Sequence, residues 1–373
     1  MHPLLISPTH ARRFAERAVA LREPWPDVAS ALREQGYVQL DPINVCGRMH
    51  DLNLRNRVAH YREGDLLAYV HPGEGRPREA FEHYLPGRGI LVVFPMAFWP
   101  VVATVMAERR NGRSRDWPAR PLTRAEEKIG ERILAELRDR GPLSSDDIEH
   151  EGRARTAWGT QGRLVKHVLE ALFHRGDVLI CARRDFRRVY DLPERVIPAP
   201  VRARGLLELE VVRRELAHLE LRQRRLVALR RHERAWVDGL AMDVRVGDGP
   251  VLQILREDAA RLDAAARDDA TEAGATSAQL LAPLDPLIYD RRVTRRVWDF
   301  DYTWEVYTPA ARRVRGYYAL PVLSRGEIVG HVEPRADRAD RRLQVVSRRV
   351  RRGHATRDAV RSLATFLGLR APG

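Results

Sequence analysis

The chain has 373 residues, 65 basic and 51 acidic, for a formal net charge of +14 and two cysteines. That length is enough for two or three domains with a sizeable core. The basic balance favours a polyanionic partner, nucleic acid before a membrane surface, and Cys46 and Cys181 supply neither a disulfide framework nor metal-type spacing, as befits a reducing cytoplasm.

Ser7-Pro8-Thr9 starts an amphipathic helix running to Leu21, and no secretory signal precedes it. Pro24 and Pro26 break that helix, and a second ends near Gln35 before Gly36. Tyr37 to Val45 then reads as a short strand or turn near the core. Residues two apart on a strand face the same way, so Gln39 and Asp41 would project from one edge. A carboxylate beside an amide can hold and deprotonate one water. The plain alternative is that Asp41-Pro42 merely opens a turn. A basic stretch with Arg48, His50, Arg55 and Arg57 follows. The uncharged run from Ile90 to Met106 is short of the ~20 residues that span a bilayer and holds Pro95 and Pro100, so it reads as a proline-broken core segment.

Residues 113–121, polar with two prolines, look like a boundary. Leu122 to Arg140 is helical, Ser144-Ser145-Asp146-Asp147 resembles a capping box opening a short helix, and Gln161 to Arg175 is a third helix stopped by Gly176. Val178 to Leu192 reads as a hairpin with Arg183, Arg184, Arg187 and Arg188 around Phe186. Helix, helix, helix, hairpin is the winged-helix order, and such a tip either contacts phosphate or is simply a solvated hairpin. The highly charged stretch 201–267 is mostly helical, with a strand pair around Gly247-Asp248-Gly249. The arginines between Arg222 and Arg234 either face DNA or lie on a solvated helix face. Residues 268–277 read as a linker. The last ~95 residues turn toward strands, including Trp298 to Tyr307, Gly316 to Leu323 and the pair 328–333 and 342–346, before a helix over 356–367.

Together these stretches resemble the winged-helix DNA glycosylases of the YcaQ/AlkZ type. The matching segments are Gln39-Leu40-Asp41-Pro42-Ile43 with Arg48 and His50, Gly141-Pro142-Leu143-Ser144, Phe186 to Arg195, Leu281 to Arg291 continuing through Phe300-Asp301-Tyr302, Glu305-Val306-Tyr307 and Gly316-Tyr317-Tyr318, and Gly330 to Arg338. The chain departs from the pattern at Glu333, Arg335 and Met49-His50-Asp51, and matches loosely over 201–267. The resemblance implies an α+β chain of tandem winged helix-turn-helix units with a C-terminal β-rich unit and a C-shaped, basic, concave surface. The expected units are 1–120 with the Gln-x-Asp segment, 121–200 with the basic hairpin, 201–280, and 281–373. It implies a bacterial, cytoplasmic, nucleoid-associated monomer without cofactor or metal, acting in base excision repair. Such an enzyme releases N7-alkylated purines and unhooks interstrand crosslinks in duplex DNA.

Within that reading, Gln39 and Asp41 are the catalytic pair. Arg48, His50, Arg55, Arg57, Arg183, Arg184, Arg187 and Arg188 are the DNA contacts. A neutral partner such as Gln39 would leave Asp41 ionised at neutral pH. A lyase would need an amine, and the only lysines, Lys128 and Lys166, are far from the segment in sequence, so hydrolysis is expected. The rival readings are a winged-helix transcription regulator without catalysis and a metal nuclease built on Asp285 with Asp290 or Asp299 with Asp301.

Overall fold

The computed structural model describes residues 2–113, 121–149, 152–155, 161–267 and 277–372. The chain is mixed α+β and gathers into two compact units. One combines residues 1–36, 41–65 and 217–373; the other combines 37–40 and 66–216. The N-terminal helices thus belong to the same unit as the C-terminal third. Parts of both expected linkers, 114–120 and 268–276, lie outside the described residues.

Two of the cores in the first unit bear on the site. In one, strand Leu4–Ile6 runs parallel to Ala241–Val246, which pairs antiparallel with Val251–Leu255. Helices Pro8–Ala18, Ala259–Arg267 and Arg291–Trp298 belong to this part, and Phe14, Leu262, Val297 and Trp298 lie in its core. The helix starts follow ordinary capping chemistry. Ser7 accepts from His10 N with proline at the first turn, and Asp27 accepts from Ser30 N to open Val28–Gln35. The second core lies on a four-stranded sheet ordered Gln279–Leu280, Leu320–Ser324, Glu327–Asp337, Arg342–Val350. Helices Met49–Leu54 and Arg357–Phe366 supply Met49, Leu52, Val360 and Leu363 to it.

Trp298 to Tyr307 is not a strand. Asp299 adopts a left-handed conformation that ends the helix, and residues 300–319 form an irregular loop. Aromatic content suited a strand, but Trp298, Phe300, Tyr302 and Trp304 pack into these cores instead.

The second unit carries a small sheet in which Leu91–Pro95 pairs with both Val38–Gln39 and Ala80–Tyr84. Pro95 ends its strand and Pro100 lies in the first turn of helix Trp99–Arg110, so both prolines stand where a missing N–H costs nothing. A further part comprises helix Arg124–Arg140 with a complete Thr123–Glu126 capping box, strand Leu143–Ser144, helix Leu164–Arg175 and the hairpin Leu179–Arg184 with Arg187–Asp191. Ser144 donates through N and Oγ to Asp147 Oδ2 at 2.7 and 2.8 Å, and Asp147 N donates to Ser144 O at 3.2 Å, which closes a turn; no helix forms among the described residues there. Among the described residues, no helix is long and apolar enough to cross a membrane.

Candidate active site

Gly36 caps helix Val28–Gln35 with φ of 82°, where a Cβ would lie 2.3 Å from Leu219 Cδ1. From this tight corner the chain enters strand Val38–Gln39. Val38 and Leu40 are buried and Gln39 is half-buried; Leu40 N donates to Leu91 O at 2.9 Å. The strand ends at Gln39, so the expected continuation of strand geometry through Asp41 does not occur, and the boundary between the two units falls after Leu40.

Asp41 opens a turn. Its Oδ1 accepts from Ile43 N at 2.8 Å, and Asn44 Oδ1 accepts from Gly47 N at 3.1 Å. Ile43 and Val45 pack on the second core of their unit. The carboxylate is half-buried, and among the described residues no arginine or lysine pairs with it. Burial raises its pKa above the ordinary aspartate value, only partly opposed by the Ile43 amide. The turn reading and the catalytic reading are therefore compatible: one oxygen holds the backbone and the other remains for chemistry.

Beyond the turn, the basic residues separate sharply. Arg57 is fully buried and donates to Asp285 Oδ1 at 2.6 Å and to Asn53 O at 3.0 Å, which leaves no guanidinium surface for a phosphate. His50 is also fully buried, with Nε2 3.6 Å from Asp51; the expected DNA or water contact gives way to a place inside the helix packing. Arg48 is half-buried at the N-terminal cap of helix Met49–Leu54. Arg55 donates to Ser362 Oγ at 3.2 Å and lies 5.5 Å over the Phe366 ring, and burial lowers its pKa to about 10.

The hairpin divides in the same way. Arg183 donates through Nε to Glu82 Oε1 at 2.8 Å, bonds the other Glu82 oxygen, and lies 4.4 Å over the Phe186 ring. His71 Nε2 is 2.7 Å from the same buried carboxylate. Against the cost of burial, these partners hold Glu82 down to about 2. Arg188 donates to Glu170 at 2.8 Å and to the Tyr84 hydroxyl at 3.0 Å. Arg184 and Arg187 are exposed, paired with Asp147 at 3.2 Å and Asp146 at 2.6 Å.

The carboxylates of the nuclease reading are engaged in the backbone. Asp285 accepts from Leu287 N as well as Arg57, and Asp290 accepts from Arg292 N to open helix Arg291–Trp298. Asp301 pairs with Arg295 at 3.2 Å. Among the described residues, no group of three His, Cys, Asp or Glu is placed to hold a metal ion.

The sequence marked Glu305 only as part of a matching segment and Glu333 only as a departure, with no role for either. Glu305 accepts from Val314 N, Arg315 N and Gly316 N at 2.7–3.2 Å. Glu333 accepts from Tyr317 N at 2.7 Å and from Ser347 Oγ at 3.1 Å. Gly316, at φ of 123°, is where a Cβ would meet the Glu333 carboxylate at 2.2 Å. These two carboxylates fix the aromatic loop 300–319.

The model of the AlkZ-like DNA glycosylase family matches residues 32–368, and the chain belongs to that family. It is accordingly a DNA glycosylase, which sets aside the regulator without catalysis. Among solved structures, the fold is similar to that of the Streptomyces sahachiroi DNA glycosylase AlkZ, with a TM-score of 0.64, 17% identity and 99% of each chain covered.

Proposed function

We propose that this AlkZ-like DNA glycosylase hydrolyses the N-glycosidic bond of N7-alkylated purines in duplex DNA and unhooks interstrand crosslinks built on them. The observation that carries this is Asp41: a half-buried carboxylate, tethered by one backbone amide and paired with no cation among the described residues, two positions beyond the strand that ends at Gln39.

N7-alkylation makes the base cationic, so it departs with the C1′–N9 bonding electrons and becomes neutral without a general acid. The sugar then develops oxocarbenium character. Ionised Asp41 stabilises that charge and accepts a proton from the water that attacks C1′; Gln39 donates a hydrogen bond that orients the water or the sugar oxygen. The product is an abasic site, with no Schiff base and no strand cleavage by the enzyme.

The tandem winged-helix reading is supported at 121–200 by helix Arg124–Arg140, strand Leu143–Ser144, helix Leu164–Arg175 and the hairpin. Exposed Arg184 and Arg187 at its tip suit phosphate contact, exchanging Asp147 and Asp146 for DNA.

The test is incubation with EDTA and duplex DNA containing 7-methylguanine, followed by chromatography for free base and borohydride trapping. Free base without a trapped adduct is expected, as is unhooking of a mustard-crosslinked duplex. No free base, or a borohydride adduct that survives loss of both lysines, would contradict the hydrolytic reading.

A further inference from the structure

Tyr307 is 82% exposed, the one aromatic side chain among the described residues that stands so open to solvent. A single exposed apolar side chain is common, but the surroundings of this one are not ordinary. Its ring lies edge-on to Trp304 at 6.1 Å, and Trp304 lies edge-on to buried Tyr318 at 5.9 Å. Trp304, Tyr317 and Tyr318 belong to the same core as Ile43 and Val45, the residues that follow Asp41 in its turn.

The loop is held rather than loose. Glu305 binds three backbone amides, Thr308 N donates to Glu305 O at 2.9 Å, and the Tyr302 hydroxyl donates to Ala319 O at 2.7 Å. Arg313 donates to Thr308 O at 2.8 Å, and Arg312 is exposed beside it. A ring carried on a backbone already held in place has part of its ordering cost met before a ligand arrives. The phenol's pKa is raised, by desolvation first and then by the charge of Asp41.

We propose that Tyr307 is a DNA-contacting residue of the active site, stacking its ring on a nucleobase left unstacked at the lesion. Every base offers a π-face, so the contact would recognise the disturbed stack and not the sequence around it. It rests on the reading of Asp41 as the reacting group, because Asp41 fixes where the lesion would sit.

The test uses the full chain and a duplex carrying a tetrahydrofuran abasic analogue, which binds without being cleaved, beside the same duplex undamaged. Tyr307→Ala should weaken binding to the analogue duplex about tenfold, the scale of removing one base–aromatic stack, and leave the undamaged duplex unchanged. Tyr307→Phe should bind within twofold of wild type. The exposed position makes both variants compatible with the fold, and a thermal melt verifies it. Equal binding of wild type and Tyr307→Ala to the analogue overturns the proposal. So does a Phe variant as weak as the Ala variant, which would assign the contact to the hydroxyl. A wild-type protein that shows this binding pattern yet releases no 7-methylguanine would instead sink the catalytic reading and leave the stacking contact standing.

Discussion

Asp41 and Glu82 are both carboxylates withdrawn from water, and they end in opposite electrostatic states. Glu82, in one unit, is fully buried beneath the hairpin, where Arg183 and His71 hold it down to about 2. Asp41, in the other unit, is half-buried with one backbone amide and, among the described residues, no cation, and its pKa is raised by burial. Opposite charge turns the first into a fixed component of the packing. Its absence leaves the second able to take a proton and to attract a developing cation, as a perturbed group at a functional site should. The arginines differ in exposure: Arg57, Arg183 and Arg188 are paired with carboxylates in buried or half-buried positions, while Arg184 and Arg187 pair with Asp147 and Asp146 at the exposed surface.

Exchanging the two carboxylates for amides is the sharpest way to break this contrast. Glu82→Gln would leave Arg183 and His71 without their counter-charge, and a broken buried pair costs about 3–5 kcal/mol, so the melting temperature should fall steeply. Wild-type Glu82 has a lowered folded-state pKa, so its contribution is complete above its unfolded value near 4.5 and is lost as pH falls toward about 2. A Glu82→Gln variant as stable as wild type at neutral pH would refute the structural role.

Asp41→Asn should do the reverse. Base release should drop at least ~10²-fold, the contribution of a positioned general base, while DNA binding is kept. Asp41 ionises at the expense of burial, so its charge lowers stability as pH rises above 3.8, and the Asn variant should melt at or slightly above wild type. Gln39→Ala should lower the rate by less than Asp41→Asn. An Asp41→Asn protein that fails to fold would contradict the division between the two regions.

The smallest effect belongs to the hairpin tip. Arg184→Ser with Arg187→Ser should flatten the dependence of log affinity on log salt by about one unit for each phosphate no longer bound. Arg183→Ser should instead lower stability. An unchanged salt slope in the double variant would make the tip a bystander.

Most of the helix and strand order was legible in the sequence, because caps, prolines and apolar periods are local. Ser7, Asp27 and Thr123 open helices as capping chemistry requires. What was not legible depends on long-range partners. Nothing in the segment from Arg48 to Arg57 reveals that Asp285, 228 positions later, buries Arg57, or that His50 ends inside the packing. The hairpin arginines looked equivalent until Glu82 and Glu170 distinguished them. Gln39 and Asp41 stood out through family resemblance rather than spacing. Tyr307 stood in a matching segment, but nothing local revealed its exposure, which goes with a loop held by Glu305 and the backbone of 314–316.

The most direct test of Asp41 as the ionised base is the single-turnover rate of 7-methylguanine release against pH, at saturating enzyme, for wild type and Asp41→Asn. For wild type the rate should fall on the acid side with an inflection above the ordinary aspartate value of 3.8, because burial raises this carboxyl. The Asn variant should be slow and lack that inflection. Parallel profiles with equal plateaus for the two proteins would contradict the account.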